Sequence, residues 1–223
     1  MINRRILLIV PVLVSGLFAE TTLADDIKAP PVPSALTSKG SNISGNVKIH
    51  VNAGKIQNLI MDGSNNQAHV RLGSIRNSTI KGNGDINVEA GNIINTVSGN
   101  NNMAVIRAGS IENSEVGSAK ISVKAKNISN EVRGGSNNKS MVNLGSIVNS
   151  KVKGKANIDI EVTNDIKMAI IGGSDNTMAA NYGSVLNQSV DSFDFNGKFN
   201  HIENTIENSH GANAKLNLGV VGQ

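Results

Sequence analysis

The phrases GSNN, GNNN, GSNN and GSDN each stand ten residues ahead of a GSI or GSV phrase, and the pair keeps returning. The leading glycines are Gly63, Gly99, Gly135 and Gly173, and the following ones are Gly73, Gly109, Gly145 and Gly183. Successive copies are 36, 36 and 38 residues apart. A fixed period in this range is the mark of stacked repeat units, none of which buries its apolar face alone. This single feature excludes most globular folds before composition is considered.

Between the phrases the chain alternates with period two. The second repeat reads Ile86-x-Val88-x-Ala90, Gly91, Ile93-x-Asn95-x-Val97, and then Ala104-x-Ile106-x-Ala108, Gly109-Ser110, Ile111-x-Asn113. Alternation of this kind describes half-buried strands, with Ile, Val and Ala on one face. The composition agrees: 39% of residues are hydrophobic but only 2% aromatic, with 23 glycines. Such a chain suits thin, regular sheets better than a bulky core, and its β-branched residues, Gly and Asn oppose helix. The expected fold is therefore all-β: a β-solenoid of about five 36-residue repeats, at 46–81, 82–117, 118–153, 154–191 and 192–223.

Corresponding residues also recur at 18, as in 86 and 104 or 93 and 111, so each repeat holds two related halves. A rung of 18 residues and a rung of 36 both satisfy the pattern. The GSNN and GSI phrases return only every 36, which favours the longer rung.

Asparagines recur at inward parity: Asn58, Asn95 and Asn130 in the first halves, and Asn77, Asn113, Asn149 and Asn187 in the second. Stacked at the strand spacing of about 4.8 Å, such residues form a hydrogen-bonded ladder. Placed at corners they only make turns. Met168 interrupts the first column, and the final repeat offers Asn204. The eight phrase glycines read as turn residues.

The N-terminus carries a second message. Arg4 and Arg5 precede an apolar run from Ile6 to Phe18, and Thr22 and Ala24 provide small residues for cleavage. This reads as a bacterial secretory signal peptide over 1–24. Thirteen residues interrupted by Pro11 are too few for a span, which needs about 20. Residues 25–45 are rich in Pro, Ser and Gly and read as a flexible arm. The mature chain is expected outside the cell, without a transmembrane segment.

Little points to chemistry. There is no cysteine, so disulfides and thiolate metal sites are excluded. The histidines, His50, His69, His201 and His210, do not share ligand spacing within a repeat. Asp159 and Glu161 share a face without any further group to give them catalytic roles. The net charge is +4, its basic residues are scattered, and no aromatics lie between them to stack bases, which argues against nucleic acid. Neither an enzyme nor a cofactor is expected.

One spacing has a known counterpart. Gly99-x-x-Asn102-x-Ala104-x-x-x-Ala108, Gly63-x-x-Asn66-x-Ala68-x-x-x-Leu72 and Gly135-x-x-Asn138-x-Ser140-x-x-x-Leu144 resemble half of the curlin repeat of bacterial functional amyloid. The fourth repeat keeps Gly173-x-x-Asn176. Ala and Leu stand where curlins have glutamine, and the 36-residue period looks more like the subunits of Fap-type fibres. The resemblance implies an exported fibre subunit that self-associates, with a nucleator or an outer-membrane secretion pore as further partners. A discrete surface adhesin or matrix-binding solenoid is the alternative. Phe193, Phe195 and Phe199 all fall in the last repeat, whose final turn reads as incomplete. They suggest either a bulkier core at that end or a docking surface.

Overall fold

In the computed structural model, which describes residues 41–186 and 190–222, the chain is an all-β solenoid of about five turns. The first turn holds β1 (Asn42–Ile43), β2 (Val47–Leu59), β3 (Ala68–Leu72) and β4 (Ile75–Arg76). The second holds β5 (Thr79–Ile80), β6 (Gly84–Val97), β7 (Ala104–Ala108) and β8 (Ile111–Glu112). The third repeats this with β9 (Glu115–Val116), β10 (Ala119–Arg133), β11 (Ser140–Leu144) and β12 (Ile147–Val148). In the fourth, β13 (Lys151–Ile171) merges the first two segments and is followed by β14 (Met178–Tyr182) and β15 (Val185–Leu186). The fifth has β16 (Val190–Glu207) and β17 (Ala214–Leu218), and closes with a bridge from Val221 to Val185. Each turn thus has a lead segment, a long segment, a back segment and a closing segment.

All pairings are parallel and in register from turn to turn. Ala68 lies beside Ala104, Ala104 beside Ser140, Ser140 beside Met178 and Met178 beside Ala214. The rung is therefore 36 residues, and the two 18-residue halves lie within one turn. Their likeness arises because both supply inward alternating residues to the same core. One half runs on as a continuous long strand. The other is broken at Gly109, whose φ of 61° turns the chain sharply before β8.

The core is built from columns of one residue type. Ile86, Ile121 and Ile158 stack in one line, and Ile93, Ile128 and Ile166 in another, all essentially without exposure. Burying each such side chain contributes about 1.5–3 kcal/mol. The fourth repeat is two residues longer because β13 accommodates one extra residue opposite Val116–Ala119 and another opposite the Ala125–Ile128 stretch of β10.

Asn42–Ile43, inside the segment read from sequence as a flexible arm, instead pairs with Thr79–Ile80 as a strand. Ile43 is the first member of a column that continues through Ile80, Val116, Val152 and Val190. The expected signal peptide, residues 25–40 of the arm and Asn187 lie outside the described residues. No helix of the described residues is long and apolar enough to cross a membrane.

Candidate functional site

The expected asparagine ladder divides into two unlike sets. Asn58, Asn95, Asn130 and Asn204 do form one inward column with Met168 between the last two. Asn95 and Asn130 are completely buried. Only one axial bond joins them, from Asn95 Nδ2 to Asn130 Oδ1 at 2.8 Å. The other bonds tie the long segment to the back segment: Asn130 Nδ2 donates to Ala104 O at 3.0 Å and Ser140 Oγ at 2.9 Å. Asn58 Nδ2 reaches His69 O in the same way. Where Met168 breaks the column, the buried Tyr182 hydroxyl approaches its sulfur at 3.6 Å. Burial there pushes the phenol pKa far above its ordinary value.

Asn77, Asn113 and Asn149 are corner residues. Each has a left-handed backbone, with φ of 48–49°, and Asn113 and Asn149 are exposed. They turn the corner after the closing segment, a conformation that asparagine tolerates better than branched residues. Their backbone amides pair along the axis, Asn77 N to Glu112 O and Asn113 N to Val148 O at 3.1 Å.

The continuous side-chain ladder lies instead in the GSNN turn. Asn66, Asn102, Asn138 and Asn176 are all buried, each the fourth residue of its phrase. Asn102 donates to Asn66 at 3.5 Å, Asn138 to Asn102 at 2.9 Å and Asn176 to Asn138 at 2.7 Å. Each amide also returns to the carbonyl four residues earlier, so the ladder closes the turn as well as linking the rungs. An exposed parallel column runs beside it, from Asn65 to Asn101 to Asn137 to the Asp175 carboxylate. A third joins Asn217, Asn181 and Asn143 on the back segment, with bonds of 2.7 and 2.9 Å. The G-x-x-N spacing already singled out the first of these columns, but as part of a turn.

The glycines divide likewise. Gly73, Gly109, Gly145 and Gly183 have φ of 54–61° and are turn residues in the strict sense. Gly63, Gly99, Gly135 and Gly173 lie in their turn without left-handed backbone; Ser64, Asn100, Ser136 and Ser174 carry the positive φ there. Close packing explains part of this set: a Cβ on Gly173 would lie 2.5 Å from the His210 ring.

The ladder ends at the fifth turn. Ala212 replaces the asparagine, and the backbone amide of His210 bonds Asn176 Oδ1 at 3.0 Å. In the same turn Phe193, Phe195 and Phe199 project inward and pack on the core while remaining partly exposed. Phe193 and Phe195 stack with centroids 6.5 Å apart, and Phe199 tilts against Tyr182 at 5.7 Å. Phe195 continues the Ile86–Ile121–Ile158 column, so the three rings widen the core at its last layer.

Both ends of the sheets present unpaired strands. Among the described residues nothing lies beyond β1, β2, β3 and β4 at one end, or beyond β16, β17 and the Val221 bridge at the other. Large apolar side chains are exposed at these ends: Leu59 and Met61 at the first turn, and Leu216, Leu218 and Val221 at the fifth.

Charge alternates from repeat to repeat along the sequence. Repeat 46–81 is basic, with Lys48, Lys55, Arg71, Arg76 and Lys81 against Asp62. Repeat 82–117 is acidic, with Asp85, Glu89, Glu112 and Glu115 against Arg107. Repeat 118–153 is strongly basic, with Lys120, Lys124, Lys126, Arg133, Lys139, Lys151 and Lys153 against Glu131. The last two repeats, 154–223, are acidic, with Asp159, Glu161, Asp165, Asp175, Asp191, Asp194, Glu203 and Glu207 exceeding Lys155, Lys167, Lys198 and Lys215. Ion pairs cross the boundaries: Arg76–Glu112 at 3.8 Å, Lys153–Glu115, and Lys198–Glu161 at 3.1 Å.

A shallow groove of about 670 Å³ follows the long segments past Lys48, His50, Asp85, Asn87, Lys120 and Asp159, with Ile49, Ile121 and Ile158 also in its lining. No three His, Asp or Glu residues converge as a metal site among the described residues. No family model, curated protein or solved structure matches the chain.

Proposed function

We propose that this protein is a structural subunit of an extracellular, amyloid-like bacterial fibre, exported and then assembled by rung-on-rung stacking. The observation that carries this reading is the pair of open ends. A solenoid that works as a discrete molecule closes its terminal rungs, because unpaired strands recruit other chains. Among the described residues, the first and last turns expose strand edges together with Leu59, Met61, Leu216 and Leu218. The signal-like N-terminus and the curlin-like G-x-x-N spacing support the same reading from the sequence. A nucleator or an outer-membrane pore belongs to it as a partner.

The test is direct. The full chain, held near neutral pH, is expected to form thioflavin-binding fibres with reflections near ~4.7 Å and ~10 Å. A monomer that persists for days by light scattering overturns the proposal. The groove on the long segments favours a second reading, a discrete solenoid that binds matrix polymers along that face.

A further inference from the structure

We infer that the partner of each open end is the opposite end of a second copy, joined head to tail with Asp194 of one chain opposite Lys48 of the next. This rests on the fibre reading above and adds the orientation and register of its junction.

Three features of the fold converge on it. The described residues contain five lead, five long, five back and five closing segments, so they make whole turns. A second copy placed on the fifth turn therefore continues each column without a gap or a duplicate. Its Ile43 follows Val190 in the lead column, and its β2 follows β16.

The charge pattern then selects the orientation. The outward column Lys48, Asp85, Lys120, Asn157, Asp194 begins basic and ends acidic. Head-to-tail stacking carries the alternation across the junction. Head-to-head stacking sets the basic first turn against another basic first turn, and tail-to-tail sets acid against acid. Like charges directly opposite one another on adjacent strands are unfavourable.

The asparagine turn ladder does not supply this information. It stops at Asn176, and Ala212 would meet Asn66 of the next chain. Register at the junction is left to the charged column and the shape of the core.

The chain has no cysteine, which makes a cross-link test clean. Asn196 and His50 head the adjacent outward column, whose members pair in register through Asn87, Ser122 and Asp159. A full chain carrying both His50→Cys and Asn196→Cys has its two thiols about 19 Å apart within one molecule, four strand spacings. Only the junction brings them within disulfide reach. Oxidation of assembled material is expected to give covalent ladders of trimers and longer, while either single variant stays monomeric on a denaturing gel. Dimers from a single variant, or no ladder from material that has assembled, overturn the orientation while leaving the fibre reading intact. Failure of the unmodified chain to assemble overturns both.

A second arm tests charge. Lys48→Glu and Asp194→Lys, each checked for its β circular-dichroism signal, are expected to assemble at least tenfold more slowly alone. Mixed, they are expected to recover, because each junction in an alternating stack pairs opposite charges. Equal rates for the separate and mixed samples overturn the role of the pair.

Discussion

The side-chain amide of Asn138 donates to the side-chain carbonyl of Asn102, thirty-six residues earlier, at 2.9 Å, with both residues buried. The bond joins two turns through their loops rather than their strands. Asn176 repeats it on Asn138 at 2.7 Å. Amide groups in the interior are costly when unpaired, so each member of the column secures the next.

Asn138→Ala leaves Asn102 Oδ1 without its donor and the Asn176 amide without its axial acceptor. The expected loss of stability is about 1–3 kcal/mol. Asn137→Ala, one residue away in the exposed column, is expected to change stability by no more than about 0.5 kcal/mol. Urea unfolding of the two variants separates them, and equal midpoints would show that the buried column contributes nothing particular.

Asn113 tests the corner assignment. With φ of 48° and an exposed side chain, it is expected to accept glycine at almost no cost. Asn113→Val is expected to lose about 1–2 kcal/mol, the usual cost of left-handed backbone for a residue with a branched Cβ. A residue engaged in a side-chain ladder would respond in the opposite order. It would be hurt by glycine, through loss of its amide.

This contrast shows what the sequence made legible and what it hid. The 36-residue period, the all-β solenoid and the inward Ile and Val columns all follow from alternation and repetition. The two asparagine sets were harder to separate, because Ile93-x-Asn95 and Ile111-x-Asn113 look alike over three residues. What distinguishes them is the backbone: Asn95 continues a long strand, and Asn113 leaves a two-residue one at positive φ. Period-two reasoning has no means of marking that change. The buried column at Asn66, Asn102, Asn138 and Asn176 lay inside a Gly-Asn run, where polar residues ordinarily face solvent. Its signal was present as the invariant fourth position of each phrase. The strand at Asn42–Ile43 was hidden for a different reason, since two residues cannot show alternation.

Gly109 and Gly99 make a matched pair for the turn glycines. Gly109 has φ of 61°, and a Cβ there would lie 2.6 Å from Val123 Cγ2. Gly109→Ala is therefore expected to cost more than about 1 kcal/mol, from backbone and packing together. A Cβ on Gly99 meets nothing closer than 3.6 Å. Gly99→Ala is expected to lie within about 0.5 kcal/mol of the parent. Thermal or urea unfolding reads the difference, and comparable losses at the two sites would contradict the division of the glycines into conformational and packing sets.

Acid is expected to weaken the fold in two stages. Partial burial of the ring, followed by the charges of Arg71, Arg107 and Arg76, lowers the pKa of His69 below its ordinary 6.5. The unfolded chain therefore takes up that proton first, and stability falls as the pH drops below 6.5 toward the folded value. Burial alone would raise Glu131, but hydrogen bonds from Arg133 and Ser129 outweigh it and hold the carboxyl below 4.5. Its contribution is present above 4.5 and is lost as the pH falls through the folded value. Urea midpoints are thus expected to be flat above neutrality, to fall as the pH drops below 6.5 and to fall again as it drops below 4.5. His69→Gln is expected to remove the first decline while leaving the second. A midpoint in the parent chain that does not fall as the pH drops below 6.5 would show that the fold does not lower the His69 pKa.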